Sequence, residues 1–131
     1  MNRKEARELV MQIVFQLDVH KDFDNPDLKK YIGDKKTGNQ HAYICSLINA
    51  ISSNIDKIDE KINKCSENWT VTRMSKPDLA IIRTAVGEML YMEEIPFSVS
   101  INEAVNLAKT YGAEQSPKFV NAVLAKIENV K

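Results

Sequence analysis

The chain has 131 residues, of which 18 are Lys or Arg and 18 are Asp or Glu, so its formal net charge at neutral pH is zero. This balance excludes the class of protein that holds nucleic acid through a strongly basic surface alone, and it leaves only a local nucleic-acid contact. With 4 Gly and 4 Pro, few residues interrupt helices. We therefore expect one all-α domain over residues 1–131.

Three features of the sequence bear on its compartment. Cys45 and Cys65 stand apart without a CxxC motif, a pattern typical of free thiols in a reducing cytoplasm. No apolar run reaches the roughly 18 residues that a membrane span needs. The N-terminus leads into an amphipathic pattern rather than a signal sequence. We expect a cytoplasmic protein that is neither secreted nor inserted in a membrane.

The first predicted helix runs from Arg3 to Val19 and is apolar on two faces. Its core stripe repeats at intervals of three and four residues: Ala6, Leu9, Val10, Ile13 and Leu17. Met11 and Phe15 fall almost opposite that stripe, beside Lys4. Two explanations stay open: the helix is buried on both sides within its own fold, or it offers one face to a partner.

The middle of the chain alternates turn residues with helical patterns. Turn residues dominate 20–38, where one short helix is predicted. The helices predicted in this part of the chain cover Asp27–Tyr31, Thr37–Ser53 and a segment from Ile55 to a point near Cys65. Residues 68–74 are expected to form a connector that carries the single tryptophan, Trp69.

Capping signals position the C-terminal helices. Ser75, Pro77 and Asp78 predict a helix start, because serine caps, proline fits the first turn and an acid favours the positive helix end. This helix is expected to stop before Pro96. A capping box at residues 100–103 predicts the next helix, which ends at Gly112, and residues 116–117 open the last helix. The whole chain is predicted to be a compact bundle of about six or seven helices.

The sequence offers no convergent set of catalytic or metal-binding residues. His20 and His41 have no carboxylate or cysteine at the spacing of a metal site or a triad, and Cys45 is expected to be a buried thiol. Glycine-rich phosphate loops and hydrolase motifs are missing from the sequence. We expect a protein that is not an enzyme and that has no metal or cofactor.

A basic cluster marks the opening turns of the first helix. Arg3, Lys4 and Arg7 form it, and the Met11 and Phe15 face continues from Lys4. Charge beside exposed apolar surface is typical of a site that holds RNA and a protein together. Such a cluster is weak evidence by itself, because most of them only cover a surface.

Three long stretches of the chain match one known family in order. They are RKEARELVMQIVFQL, RMSKPDLAIIRTAVGEMLY and VSINEAVNLAKTYGAEQSPKFVNAVLAKI. They resemble the NusB family of bacterial transcription antitermination factors, and the resemblance spans nearly the whole chain. It implies two small helical bundles that share the first helix. It also implies a factor that pairs with the ribosomal protein NusE, binds single-stranded boxA-type RNA of ribosomal RNA operons and joins an RNA polymerase complex.

The resemblance also implies two sets of contact residues. Those that match RNA-contacting positions of the family are Arg3, Lys4, Arg7, Gln115, Lys118 and Phe119, with Arg7 the most favoured. Those that match the NusE-facing side are Met11, Phe15 and Asp78. An exposed Phe119 ring would stack on an unpaired base. The alternatives are that Phe119 edges the core and that Asp78 serves only as a helix cap.

The chain departs from the family pattern at three of its positions. Glu5 stands where other members carry arginine, Phe15 lacks the hydroxyl of a tyrosine, and Gln115 replaces an acidic residue. Two rival functions stay open. One is a helical module that self-associates through the Met11 and Phe15 face. The other is a domain related to those fused to ribosomal RNA cytosine methyltransferases, which the chain length and the lack of a cofactor loop disfavour.

Overall fold

The computed structural model describes residues 1–67 and 69–130, and these residues form seven α-helices and two short 3₁₀ turns. The all-α prediction is confirmed, because the described residues contain no β-strand. The predicted connector begins at Asn68, which lies outside the described residues. The helices are α1 (Arg3–His20), α2 (Leu28–Ile32), α3 (His41–Ser53), α4 (Ile55–Cys65), α5 (Lys76–Tyr91), α6 (Phe97–Tyr111) and α7 (Ser116–Val130), and the 3₁₀ turns are Gly38–Gln40 and Val71–Arg73.

Side-chain caps start two of these helices. The Asn2 Oδ1 atom accepts a hydrogen bond from the Glu5 backbone N–H at 2.8 Å, and Glu5 Oε1 accepts one from the Asn2 N–H at 2.9 Å. This reciprocal capping box begins α1. The predicted cap of α5 is confirmed, since Ser75 Oγ accepts from the Asp78 N–H at 3.2 Å. Caps of this kind set where each helix begins, and hence where its side chains point.

The start of α6 differs from the prediction. The helix begins at Phe97 with Pro96 as its N-cap, so the capping box expected at Ser100 is wrong. Proline presets a backbone angle that suits a helix start. Ser100 instead lies one turn inside the helix, is buried, and donates its hydroxyl to Glu88 Oε1 at 2.7 Å. The Ser100 hydroxyl, which the sequence pattern predicted to cap the helix, therefore binds the Glu88 carboxylate instead.

The most deeply buried helix is α5. Every residue from Leu79 to Met89 is buried, and α5 packs against α1, α3, α4, α6 and α7. Gly87 permits the close approach of α3, because a Cβ atom there would lie 2.6 Å from Ile51 Cγ1. α1 packs against both α3 and α5, and its side chains reach α6. The first helix therefore contacts both the N-terminal and the C-terminal helices.

Ionic contacts join α1, α4 and α5. Arg83 donates to both carboxylate oxygens of Asp59, at 2.9 and 2.7 Å, and its Nη1 lies 3.3 Å from Asp18 Oδ1. Lys76 Nζ lies 2.9 Å from the other Asp18 oxygen. Burial lowers the pKa of Arg83, but the two carboxylates outweigh it and the net pKa is raised. These contacts set the position of the N-terminal end of α5 relative to α1.

None of the described helices is long and apolar enough to cross a membrane.

Candidate RNA-binding and partner-binding surfaces

The first turn of α1 presents cations at the surface. Arg3 and Lys4 are both exposed. Arg3 donates from Nε to Gln40 Oε1 at 2.7 Å, and its guanidinium carbon lies 4.0 Å from the centroid of the Tyr43 ring. This stacking on an aromatic face holds the guanidinium in one place while keeping its charge. Arg3 is therefore a positioned cation at the junction of α1 and α3.

Arg7 does not belong to that exposed cluster, and the expectation that it lies on the surface is wrong. It is 6% exposed, and its Nε donates to Glu88 Oε2 at 2.7 Å. Glu88 is 0% exposed, and a buried carboxylate is costly without a cationic partner. Burial lowers the pKa of Arg7, but the hydrogen bond and the charge of Glu88 outweigh it, so the pKa lies above its ordinary value. The ion pair joins α1 to α5.

Glu88 is the centre of a buried polar network that the sequence did not reveal. Besides Arg7 and Ser100, it accepts a hydrogen bond from the Tyr43 hydroxyl. Burial raises the pKa of Tyr43, and the negative charge of Glu88 raises it further. The network joins α1, α3, α5 and α6 at one point. A signal was present in the sequence, because Glu88 interrupts the apolar pattern between Val86 and Met89.

The C-terminal residues of the predicted RNA set lie at and just before the start of α7. Gln115 and Lys118 are exposed, whereas Phe119 is partly buried and packs against the core. The Phe119 N–H donates to the Gln115 carbonyl at 3.1 Å, which places these residues in the first turn. Gly112 allows the close turn into this segment, because a Cβ atom there would lie 2.4 Å from Ser116 Cβ. Phe119 therefore lies partly exposed in the first turn of α7.

A cleft of about 200 Å³ separates the first turns of α1 from α6. Its lining residues are Lys4, Glu5, Arg7, Glu8, Glu103, Asn106, Leu107 and Thr110. At the end of α6 the Tyr111 hydroxyl donates to Glu8 Oε2 at 2.8 Å and accepts from Gln12 Nε2 at 3.0 Å. The cleft thus lies beside Lys4 and along the helix that leads to residues 115–119. A larger cleft of about 900 Å³, at the far end of α1, is lined by none of the predicted site residues.

The three residues predicted to face a partner differ in how far they are exposed to solvent. Met11 is 3% exposed and belongs to the core, so its predicted exposure is wrong. It lies one turn after Arg7 on the same side of α1, which α5 covers through Glu88. Phe15 is partly buried, and Asp78 is partly exposed with its Oδ1 atom buried and without a hydrogen-bond partner in the described structure. Phe15 and Asp78 remain accessible, and Met11 does not.

One pair of side chains contradicts the expectation that His41 has no cysteine at the spacing of a metal site or a catalytic triad. His41 Nε2 lies 3.4 Å from Cys45 Sγ, one turn along α3, and His41 Nδ1 lies 3.0 Å from Thr37 Oγ1. Burial raises the pKa of Cys45, which favours the protonated, weakly nucleophilic thiol. Among residues 1–67 and 69–130, no group of three or more His, Cys, Asp or Glu side chains could hold a metal ion.

Comparison with known proteins gives consistent matches over the full length of the chain. A family model described as the NusB family matches residues 4–129. The transcription antitermination protein NusB of Acetivibrio thermocellus is 39% identical over 132 residues, which cover 100% of this chain and 91% of that protein. The protein of the same name from Oceanobacillus iheyensis is 41% identical over 128 residues, which cover 97% and 98%.

Solved structures of NusB proteins have the same fold as this chain. A structure of T. maritima NusB superposes with a TM-score of 0.87 at 32% identity, covering 99% of this chain and 92% of that one. A structure of antitermination factors NusB and NusE in complex with dsRNA gives a TM-score of 0.86 at 24% identity, covering 98% and 97%. At that lower identity the likeness is one of fold.

Proposed function

We infer the function of this chain from the premise that it belongs to the NusB family, whose model matches residues 4–129. It is a transcription antitermination factor, a single helical unit that works in the cytoplasm without catalysis. It pairs with NusE, and the pair binds single-stranded boxA-type leader RNA of ribosomal RNA operons within an RNA polymerase complex. The observation that carries the proposal is the full-length match to relatives named transcription antitermination protein NusB.

The RNA surface consists of two segments, the first turn of α1 and the first turn of α7. Arg3 and Lys4 supply exposed positive charge in the first segment. In the second, Lys118 supplies charge and the partly exposed Phe119 supplies a stacking surface, with Gln115 beside them. Arg7 acts chiefly by holding α1 on α5. Few cations mean few released counterions, so the RNA affinity of the chain alone is modest and falls gently with salt.

The NusE surface centres on Phe15 and Asp78. Both side chains are partly exposed, and a donor from NusE would bind the accessible part of the Asp78 carboxylate. Met11 supports this surface from beneath, as part of the core. Self-association through a Met11 and Phe15 face is disfavoured, because half of that face is buried within the chain's own fold.

The test is a fluorescence anisotropy titration of a boxA-like single-stranded RNA with this protein, alone and with equimolar NusE. Salt is fixed near the physiological concentration. The expected result is weak binding alone, tighter binding with NusE, and little binding of a scrambled RNA. A duplex of the same sequence tests the preference for single strands. If no RNA is bound in the presence of NusE, the proposed function is wrong.

A further inference from the structure

The cleft between α1 and α6 has both the size and the chemistry of a subsite for one nucleic-acid base. We propose that it receives a single unpaired guanine of the bound RNA, with Glu103 reading its edge. This inference rests on the proposed RNA-binding function and names a base that the surface selects. It uses side chains that line the cleft beside the exposed Lys4.

The dimensions of the cleft limit what it can hold. Its volume is about 200 Å³, which is several times the ~30 Å³ share of a water molecule. One flat ring system fits in such a space, and two stacked nucleotides do not. The side chain of Leu107 contributes an apolar surface against which a ring can lie. Unpaired bases are recognised in this way, splayed from the strand and bonded through their edges.

The walls of the cleft combine hydrogen-bond acceptors with donors. Glu103 is 25% exposed in its side chain, and its Oε2 lies 4.0 Å from Arg7 Nη1, too far for a hydrogen bond. Arg7 uses Nε to bind Glu88, and its guanidinium lines the cleft. Guanine presents N–H donors at N1 and N2 and acceptors at O6 and N7. A carboxylate that accepts from both N1–H and N2–H complements this pattern, whereas adenine has no hydrogen at N1 and uracil lacks the amino group.

The distribution of charge distinguishes a base contact from a phosphate contact. Glu103 would repel a phosphate, and the exposed cation Lys4 lines the same cleft. A carboxylate in the cleft suits a base with amino groups, while exposed cations hold the backbone. Glu5 and Glu8, the other carboxylates of the lining, are less suited to the task, because Glu5 already accepts from the Asn2 N–H and Glu8 from the Tyr111 hydroxyl. Glu103 is therefore the acceptor on which discrimination depends.

The experiment replaces guanine by inosine, which differs only in lacking the N2 amino group. Two boxA-like single-stranded RNAs, identical except that one guanosine is replaced by inosine in the second, are titrated by anisotropy against the complex with NusE. A third RNA carries adenosine at that position. We expect guanosine to bind about tenfold more tightly than inosine or adenosine. In Glu103→Gln, the amide turns a donor toward the base, and we expect the guanosine and inosine RNAs to bind within about twofold.

Matched variants separate the subsite from general effects. Glu94→Gln removes the same charge from an exposed position outside the cleft and should keep full discrimination. Asn106→Ala alters the exposed wall of the cleft without burying a new group, and should reduce discrimination if Glu103→Gln is unstable. RNA binding without preference for guanosine overturns the subsite and leaves the proposed function intact, as does full discrimination in Glu103→Gln. Loss of all RNA binding by the unmodified complex overturns both.

Discussion

Arg7→Ala is the substitution whose consequence follows most directly from the structure. It leaves the Glu88 carboxylate, which is 0% exposed, without its cationic partner. Removing one member of a buried ion pair costs about 3–5 kcal/mol. Tyr43 and Ser100 still donate hydrogen bonds to Glu88, so we expect the lower end of that range. For a domain of this size, whose whole stability is about 5–15 kcal/mol, this is a large loss.

The assay is urea and thermal unfolding followed by circular dichroism. A loss of about 3 kcal/mol corresponds to a fall in Tm of roughly 12 °C, at about 4 °C per kcal/mol. Near the lowered Tm, RNA and NusE binding should be lost together, and both should recover on cooling, because the cause is unfolding. Arg3→Ala removes an exposed cation from the same helix and should change Tm by only a few degrees. The double variant Arg7→Met with Glu88→Leu should regain much of the loss, because no charge is then left unpaired.

One outcome would refute this reasoning. If Arg7→Ala were to lose less than about 1 kcal/mol of unfolding free energy while abolishing RNA binding and sparing NusE binding, the ion pair with Glu88 would not stabilise the fold. Arg7 would then be a direct RNA contact, as the family resemblance implies. The comparison therefore decides between a structural role and a contact role for the same residue.

The other predictions concern Tyr43, Phe119 and Asp78. Burial and Glu88 raise the pKa of Tyr43 above its ordinary value of 10.0, so the stabilisation from Tyr43 is complete below pH 10 and is lost as the pH rises beyond it. In urea titrations, Tyr43→Phe should therefore lose less stability at alkaline pH than the unmodified chain. The control variant Tyr91→Phe should match the unmodified chain. Phe119→Ala should weaken RNA binding by about 1–3 kcal/mol while Phe119→Tyr keeps the affinity, and equal losses in anisotropy would contradict stacking. Asp78→Ala should weaken NusE binding about tenfold or more in calorimetry, and Asp56→Ala, which removes an acid from the first turn of α4, should not.

Local patterns predicted the helices because they depend on nearby residues. Apolar spacing located α1, and the Ser75 cap located the start of α5, since a helix cap acts within three residues. The start of α6 was misplaced because two capping signals competed. Pro96 is the N-cap of the helix, and the distant Glu88 accepts a hydrogen bond from the Ser100 hydroxyl. The resemblance to the NusB family likewise depends on sequence order alone and was confirmed.

The exposure of the candidate site residues was a matter of tertiary structure. Helical spacing shows that Arg7 and Met11 share a face, but not that α5 covers it. That outcome depends on Glu88, which lies 81 residues away from Arg7 in the chain. The same is true of the α1–α6 cleft, whose walls are about a hundred residues apart and meet only when both helices pack on α5. The sequence by itself therefore determined the helices and the family, because periodicity and capping are local. Burial decided which charged residues face solvent, because burial is a property of the whole assembled core.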